Sequence, residues 1–423
     1  MRFPDDFLWG ASTSSFQIEG SLDADGRGRS IWDDFTIETG ETGAVACDHY
    51  RRWRDDVELV ASLGVNAYRF SLAWPRIVPD GRGAVEQRGI DHYSRLVDAL
   101  LERGIEPVVT LYHWDLPATL DWRDRDTAER FAEYAAVCFD SFGDRVRWWI
   151  TINEPWVHGI LGYADGIHAP GEKDLRGAVH AMHHMLLGHA LAYERRPRGE
   201  TGIAFSLFPT YPESESDADR EAARICDGYH NRWFLDPMLK GGYPDDMLRL
   251  YEDRVGPLEL EPIPAGCDFV GVNYYSRGVI RHDPDGTPFP YHVLHARNEL
   301  DVELTDGGYE IAPFGLTDLL VRLKLDYGDV PVMITENGAI YYDAPHDPGR
   351  VEFLRRHVEA VGEAIAQGVD VRGYCHWSLL DNFEWAMGYK PRFGLVHVDY
   401  ETQARTVKDS GRAYGEIAAR NAL

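Results

Sequence analysis

The chain has 423 residues, 70 of them acidic and 43 basic, which gives a formal net charge of −27 near neutral pH. This charge excludes a nucleic-acid partner, because binding to a phosphate backbone needs a basic surface, and it disfavours anionic membranes for the same reason. The 44% hydrophobic and 12% aromatic content is sufficient for a large buried core, so a disordered chain is excluded as well.

Eight short runs rich in β-branched and aromatic residues predict strands. Most of them are apolar throughout, as expected of parallel strands that are covered by helices on the outside. They span residues 7–12, 65–74, 105–114, 146–153, 202–208, 268–275, 331–335 and 371–377.

Eight segments with helical spacing of apolar residues alternate with these strands. They span residues 48–63, 90–103, 127–142, 175–194, 217–234, 316–327, 350–367 and 410–421. The alternation predicts an α/β fold, a (β/α)₈ TIM barrel with extended loops after the strands, notably 20–46, 210–216 and 282–310. No Pro-, Gly- or Ser-rich linker divides the chain, so we expect residues 1–423 to form a single domain.

Only five of the 43 basic residues are lysines, namely Lys173, Lys240, Lys324, Lys390 and Lys408. One hypothesis is adaptation to high salt, where a carboxylate-rich surface stays hydrated while ions screen its self-repulsion. The alternative is a GC-rich genome that encodes arginine in preference to lysine. The sequence leaves both explanations open.

The five cysteines are far apart and form no C-x-x-C pair: Cys47, Cys138, Cys226, Cys267 and Cys375. This pattern indicates reduced thiols in a cytoplasmic enzyme. The first residues are acidic and lack the basic patch and apolar run of a secretory signal. Because no apolar run of about 18 residues is present, no membrane span is expected either.

Polar and aromatic side chains follow the apolar runs, at the rim where a TIM barrel carries its active site. Carboxylates and amides match sugar hydroxyls, while indole rings pack on the apolar face of a pyranose. We therefore predict a carbohydrate site. Its candidate residues at and after the strands are Gln17, Arg69, His113, Trp114, Asn153, Glu154, Asn273, Tyr275, Glu336, Trp377, Glu384 and Trp385.

Two glutamates in this set lie at the ends of predicted strands, each followed by residues that restrict the backbone. Pro155 is expected to hold Glu154 in extended geometry and to end its strand, and Asn337 with Gly338 is expected to form a tight turn after Glu336. Two carboxylates from different strands that face one pocket are the minimal apparatus of glycoside hydrolysis.

Several motifs along the whole chain match one known family. They are 16–20 (Phe-Gln-Ile-Glu-Gly), 68–71 (Tyr-Arg-Phe-Ser), 113–117 (His-Trp-Asp-Leu-Pro), 153–155 (Asn-Glu-Pro), 273–275 (Asn-Tyr-Tyr) and, most specifically, 377–385 (Trp-Ser-Leu-Leu-Asp-Asn-Phe-Glu-Trp). On these motifs the chain resembles glycoside hydrolase family 1, whose best-known members are β-glucosidases. The resemblance implies a retaining β-glycosidase that hydrolyses terminal β-D-glucosyl residues by double displacement, with β-galactosides and β-fucosides as further substrates.

The same resemblance implies roles for individual residues. Glu154 would be the acid/base and Glu336 the nucleophile, with Arg69 and Tyr275 stabilising the Glu336 carboxylate. The glycone subsite would be formed by Gln17, His113, Trp114, Asn153, Asn273, Trp377, Glu384 and Trp385. Relatives that hydrolyse 6-phosphorylated sugars lack the carboxylate of Glu384, so an unphosphorylated sugar is favoured. For Trp32 and Trp156, a role as aglycone wall and a role as core residues both stay open.

The resemblance implies no cofactor and no metal ion. The expected partner is a small β-glycoside or a cello-oligosaccharide, and homo-oligomerisation is left open. The preferred glycone stays open as well, because a β-galactosidase- or β-mannosidase-preferring enzyme with transglycosylation would have similar motifs.

Two hypotheses from other classes compete. His180, His183 and His184 can share a helix face near His189 and could ligate a metal ion in a metal-dependent barrel hydrolase. No carboxylate–histidine motif ends the first strand, however, and packing histidines are the simpler interpretation. A non-catalytic glycan-binding barrel is the other alternative, and it is disfavoured because both candidate carboxylates are present.

Overall fold

A computed structural model describes residues 1–264 and 266–423 of the chain. Within these residues, eight parallel strands close into a barrel. They are β1 (Leu8–Ser12), β2 (Ala67–Ser71), β3 (Glu106–Tyr112), β4 (Trp148–Asn153), β5 (Glu200–Ser206), β6 (Val270–Tyr274), β7 (Val332–Asn337) and β8 (Val371–Trp377).

Each strand pairs with the next one along the chain, and β8 pairs with β1 to close the sheet. Main helices follow the strands and cover the barrel: α1 (His49–Leu63), α2 (Gln87–Glu102), α3 (Asp126–Phe142), α4 (Leu175–Glu194), α5 (Asp217–Asp227), α6 (Pro313–Tyr327), α7 (Pro348–Ala366) and α8 (Asp409–Arg420). The (β/α)₈ barrel predicted from the alternation is confirmed.

The strands are shorter or shifted relative to some of the apolar runs that predicted them. The run 65–74 contains only the five residues of β2, because the chain turns into a short helix, Trp74–Ile77. Trp74 is fully buried and stacks on Tyr134 of α3 with a ring separation of 4.9 Å. An apolar run therefore marks burial, while backbone pairing decides where the strand ends.

The helix predicted over 217–234 is wrong as a single element. The structure has α5, then a π-helical segment Gly228–Arg232, then the helices Trp233–Lys240 and Asp245–Val255. Such widened turns occur mostly where function or packing needs a side chain redirected. Here the segment carries the ring of His230 to 4.1 Å from Trp156 beside the barrel rim.

The segments predicted as loops also contain short elements. Three of them form a small sheet, in which Thr210–Pro212 pairs with Gly278–His282 and this strand pairs with Tyr291–Val293. The other short elements are Ser15–Ile18, Ile31–Asp34, Pro155–Gly159, Ile160–Ala164, Ala296–Glu299, Trp385–Met387, Val396–Val398 and Arg405–Val407.

Two predictions about the chain as a whole can be compared with the structure. All five cysteine thiols are free among the described residues, and four of them are buried. Of the helices in the described part of the chain, none is both long enough and apolar enough to cross a membrane.

Candidate active site

The two strands that carry the candidate carboxylates are both irregular near their ends. The pairing of β4 with β5 shifts register between Ile150 and Asn153, and the pairing of β7 with β6 shifts between Ile334 and Glu336. Such irregularities redirect the side chains that follow them. The two candidate carboxylates, Glu154 and Glu336, thus lie where the regular strand pairing is interrupted.

The backbone of Glu154 is left-handed, with φ 51° and ψ 65°, so the predicted extended geometry is wrong. Its N–H still donates to Ala204 of β5 at 2.8 Å, while its carbonyl accepts from His158 in the helix that begins at Pro155. A single residue thus makes the whole turn from strand to helix. A non-glycine residue in this region costs about 1–3 kcal/mol, which the surrounding structure must offset.

The predicted tight turn at Gly338 is also wrong. The strand β7 continues through Asn337, and Gly338 has no left-handed backbone. Its role is close approach: a Cβ atom at this position would lie 1.8 Å from the backbone carbonyl oxygen of Trp377. The absence of a side chain lets the ends of β7 and β8 come together beside the candidate site.

We expect Gly338→Ala to lower the free energy of unfolding by at least about 1–3 kcal/mol, the usual cost of overpacking, because a backbone atom cannot move aside cheaply. Gly242→Ala is the matched control, since a Cβ there meets nothing within 4 Å. Urea unfolding of both variants measures the difference. Equal stability of the two would contradict the close-approach explanation.

Glu336 lies at the end of β7 and is 3% exposed. Its Oε1 accepts a hydrogen bond from Arg69 Nη1 at 2.6 Å, and its Oε2 accepts one from the Tyr275 hydroxyl at 2.6 Å. Burial, with the Glu336 charge as the next cause, raises the pKa of Tyr275 well above its usual value, so this hydroxyl stays a neutral donor. An arginine and a tyrosine hydroxyl therefore hold the carboxylate of Glu336 in a fixed orientation.

A chain of hydrogen bonds connects Arg69 to the second carboxyl group. Arg69 Nη2 donates to Asn153 Oδ1 at 2.7 Å. Asn273 Nδ2 donates to the same oxygen at 3.1 Å and to Glu154 Oε1 at 2.8 Å. Thr335 Oγ1 donates to Asn273 Oδ1 at 2.6 Å and thereby orients that amide. Asn273, which the resemblance places in the glycone subsite, thus also contacts Glu154 directly.

The carboxyl group of Glu154 is 5% exposed and carries a perturbed pKa. Burial raises this pKa to about 8, and the nearby charge of Glu336 acts in the same direction. The hydrogen bond from Asn273 and the charge of Arg69 oppose the rise. Glu154 is therefore protonated at neutral pH and can donate a proton, as a general acid must.

This pKa predicts the alkaline side of the pH–rate profile. The protonated form of Glu154 is present below about pH 8 and is lost as the pH rises through that value. We expect kcat/KM to fall tenfold per pH unit above an apparent pKa near 8. Because Glu384 also has a pKa raised to about 8, by burial and by the charge of Glu336, the control is Glu384→Gln. Loss of the alkaline limb in that variant would assign the titration to Glu384 instead.

His113 is buried and neutral, since burial and the charge of Arg69 lower its pKa well below the usual range. The side-chain oxygen of Asn153 accepts hydrogen bonds from Arg69 and Asn273, which fixes the orientation of this amide. Asn153 Nδ2 therefore donates to His113 Nε2 at 3.2 Å. A neutral imidazole that accepts at Nε2 carries its hydrogen on Nδ1. Within the described residues this buried Nδ1 has no hydrogen-bond partner.

Aromatic rings form one side of the pocket. The ring of His113 stacks at 5.8 Å from Trp377 and at 6.0 Å from Trp385. Trp114 lies 4.8 Å from Trp385, and its Nε1 donates to the carbonyl of Asn153 at 2.9 Å. The predicted tryptophans are therefore brought together with the polar residues that the sequence places beside them.

The remaining polar candidates are Gln17, in the short helix Ser15–Ile18 after β1, and Glu384, on the loop after β8. Gln17 Nε2 donates to Glu384 Oε2 at 3.3 Å and to Asn382 Oδ1 at 3.0 Å. This loop is fixed from below by a buried ion pair, because Lys408 Nζ donates to Asp381 Oδ1 at 2.8 Å. Asn382 supports Gln17 and was not predicted to do so, although it lies inside the most specific motif.

The two tryptophans with open roles have different surroundings. Trp32 is 4% exposed and packs 4.6 Å from Trp385, whereas Trp156 is partly exposed and packs against His230. The sequence analysis also missed His168, whose ring lies 5.4 Å from Trp32. His168 belongs to no motif, so only its position in the folded chain places it at the pocket.

Three of the four histidines of the metal hypothesis are hydrogen-bonded to the protein. His183 Nδ1 pairs with the Tyr243 hydroxyl at 3.0 Å, His184 Nδ1 with the Trp122 carbonyl at 2.8 Å, and His189 Nδ1 with Thr151 Oγ1 at 2.7 Å. The three rings point to different partners. Their arrangement favours the interpretation as packing histidines.

Comparison with known proteins identifies the arrangement. The family model described as "Glycosyl hydrolase family 1" matches residues 1–423. The chain belongs to this family. The 1,4-beta-D-glucan glucohydrolase of Thermotoga neapolitana and the beta-glucosidase A of Thermotoga maritima are each 46% identical over 445 residues, covering 100% of this chain and 99% of each relative.

A solved structure of the Thermotoga maritima beta-glucosidase in complex with glucoimidazole has a TM-score of 0.93 and 44% identity, and the match covers 100% of both chains. This family 1 chain is thus a glycoside hydrolase, a retaining β-glycosidase that acts on O-glycosyl bonds. The family resemblance predicted from the motifs is confirmed.

Proposed function

We propose that the protein is a β-glucosidase that releases terminal, non-reducing β-D-glucosyl residues from small glycosides and cello-oligosaccharides, and that it also accepts β-galactosides and β-fucosides. One observation carries the chemistry: a carboxylate held by Arg69 and Tyr275 lies near a second carboxyl group with a pKa of about 8. The printed names of the two Thermotoga relatives support glucose as the glycone.

In the first step, Glu336 attacks the anomeric carbon while the bond from that carbon to the aglycone oxygen breaks. Glu154 gives its proton to this oxygen, so the aglycone leaves as a neutral alcohol. Attack of this kind needs the two carboxyl groups about 5–5.5 Å apart. The product of the step is a sugar ester of Glu336.

In the second step, the ester no longer carries the negative charge of Glu336. That charge is one cause of the raised pKa of Glu154, so the pKa falls and Glu154 ionises. The Glu154 carboxylate then takes a proton from water while the water oxygen attacks the anomeric carbon and the ester bond breaks. The same residue therefore acts first as acid and then as base.

Binding of the glycone rests on the other residues of the pocket. Three groups match sugar hydroxyls, namely the imidazole of His113, the amide of Gln17 and the carboxyl of Glu384, and Asn153 would contact the 2-hydroxyl. Trp377 would carry the apolar face of the ring, with the indole N–H of Trp385 as a further donor. A 6-phosphate would bring a second negative charge against Glu384 once this group ionises.

Further proposals concern the chain as a whole and the two tryptophans near the site. We propose that residues 1–423 act as one domain, because strands from the whole chain close a single barrel. Partly exposed Trp156 is the better aglycone contact, and buried Trp32 would act by supporting Trp385. A cytoplasmic location agrees with the free thiols, and the oligomeric state stays a prediction.

A panel of p-nitrophenyl β-glycosides tests the proposal. We expect the glucoside to be cleaved with the highest kcat/KM. The galactoside and the fucoside should follow within about a hundredfold, since one altered hydrogen bond typically changes the free energy by about 1–3 kcal/mol. The 6-phosphoglucoside is the matched negative control. Proton NMR of the first-formed sugar should show the β-anomer. A first-formed α-anomer would overturn the retaining mechanism. A preference for the mannoside would overturn the assignment of glucose as the glycone.

A further inference from the structure

The long loop between β6 and α6 brings three side chains with metal-ligand chemistry together. His292 lies in the strand Tyr291–Val293, His295 precedes the helix Ala296–Glu299, and Glu299 ends that helix. One ligand atom from each residue lies within 4.8 Å of the other two. We propose that His292, His295 and Glu299 form a loop metal site for a divalent transition-metal ion of the zinc type, separate from the catalytic residues.

The local backbone places these side chains before any ion arrives. The strand Tyr291–Val293 is held antiparallel to Gly278–His282. The backbone N–H of His295 donates to Glu299 Oε2 at 2.9 Å, which fixes the carboxylate above the start of the short helix. All three ligands come from eight consecutive residues, so binding closes only a short loop and costs little conformational entropy.

The donor set fits zinc better than magnesium or calcium. Two imidazole nitrogens and one carboxylate oxygen, with water as the fourth ligand, make a tetrahedral zinc site, whereas the two harder ions prefer oxygen ligands alone. Glu299 Oε2 already accepts hydrogen bonds from the His292 ring and from the His295 backbone, so the carboxylate is held in place beside both histidines. On binding, the ion takes the place of the proton between His292 Nε2 and Glu299 Oε2, which are 2.8 Å apart.

The charged neighbours leave the ligand oxygen accessible. Arg281 Nη1 lies 3.6 Å from Oε1 of Glu299, the oxygen turned away from His292. The guanidinium of Arg281 is itself held by both carboxylate oxygens of Glu213 at 2.6 and 2.7 Å, which offsets its positive charge. The His292 and Glu299 side chains are 34% and 27% exposed, so an ion and its bound water can reach them.

The position of the loop metal site indicates how a bound ion would affect the enzyme. An ion would tie the strand Tyr291–Val293 to the helix Ala296–Glu299 within the loop and leave the catalytic carboxylates untouched. We therefore expect occupancy to rigidify this loop and to leave the rate of glycoside hydrolysis unchanged. The net charge of −27 favours accumulation of cations near the surface in general.

Zinc binding to the metal-free, untagged chain tests the proposal, measured by equilibrium dialysis at pH 7.5 without substrate. We expect one zinc ion per chain that is bound at least tenfold more weakly by His292→Ala, by His295→Ala and by Glu299→Gln. The matched control is His282→Ala, which removes an exposed histidine from the neighbouring strand and should bind like the original chain. Circular dichroism verifies that each variant is folded.

Two results would overturn the proposal. One is equal zinc affinity of the original chain and His292→Ala, which would place any bound ion elsewhere. The other is a loss of p-nitrophenyl β-glucoside hydrolysis on metal removal that the original chain and His292→Ala share, because the functional ion would then belong to another site. Failure of the proposed glucosidase function would leave the dialysis result unaffected, so the two proposals fail separately.

Discussion

Glu336→Gln is expected to reduce turnover of p-nitrophenyl β-D-glucoside by at least about 10⁴-fold, the scale on which loss of a covalent nucleophile is measured. An amide of the same shape cannot form the sugar ester. Arg69 and Tyr275 keep their positions, but they would now face a neutral group instead of the carboxylate that accepts both hydrogen bonds. Steady-state kinetics on the purified variant measures the effect.

The chain offers a matched control for this variant. Glu19 is 4% exposed and, like Glu336, accepts from an arginine and a tyrosine, with Arg76 Nε at 2.6 Å and the Tyr93 hydroxyl at 2.7 Å. We expect Glu19→Gln to lose stability and to keep turnover per folded molecule within about tenfold. Equal losses of turnover in both variants would mean that disruption of a buried ion pair, and not loss of the nucleophile, explains the result.

Glu154→Gln is expected to have the second largest effect, and the effect should depend on the leaving group. A substrate with a poor leaving group needs the proton of Glu154, so we expect a loss of about 10²–10⁴-fold, the usual contribution of general acid–base catalysis. A dinitrophenyl glucoside leaves without a proton and should form the sugar ester at a nearly normal rate. Stopped-flow release of dinitrophenol should then show a burst followed by a slow steady state.

Azide separates the two roles of Glu154. The anion needs no general base, so added azide should accelerate the slow step of Glu154→Gln and give the β-glucosyl azide, while the unmodified enzyme should respond little. The alkaline limb near pH 8 should also disappear in this variant with the dinitrophenyl substrate. Absence of azide acceleration, or an unchanged rate with poor leaving groups, would contradict the acid/base assignment.

Much of the site could be predicted because a parallel barrel gathers the ends of its strands at one rim. Once eight apolar runs are recognised, Arg69, Asn153 and Glu336 must face a common pocket whatever the details of packing. The motifs then narrow the chemistry. Support residues such as His168 and Asn382 were missed, because their roles depend on partners that are far away in the sequence.

The geometry at the carboxylates was beyond sequence reasoning for a physical reason. The residue before a proline is usually extended, yet the backbone of Glu154 is left-handed. The chain passes from β4 to the following helix within this single residue, and this requirement outweighs the local preference. Gly338 is required by the approach of another strand and not by a turn. Both errors concern positions where tertiary contacts outweigh the local backbone preference.

The sequence by itself determined the barrel, the family and the identity of the two carboxyl residues, because these follow from local periodicity and from motifs. The motifs also assign the acid/base role to Glu154 through the family resemblance, but only the tertiary structure supplies a physical basis for that role. Burial and the nearby charge of Glu336 raise the pKa of Glu154 to about 8, while Arg69 and Tyr275 donate hydrogen bonds to the carboxylate of Glu336. Protonation depends on solvent exclusion and on charges brought close in space, and neither quantity exists until strands separated by more than a hundred residues have come together.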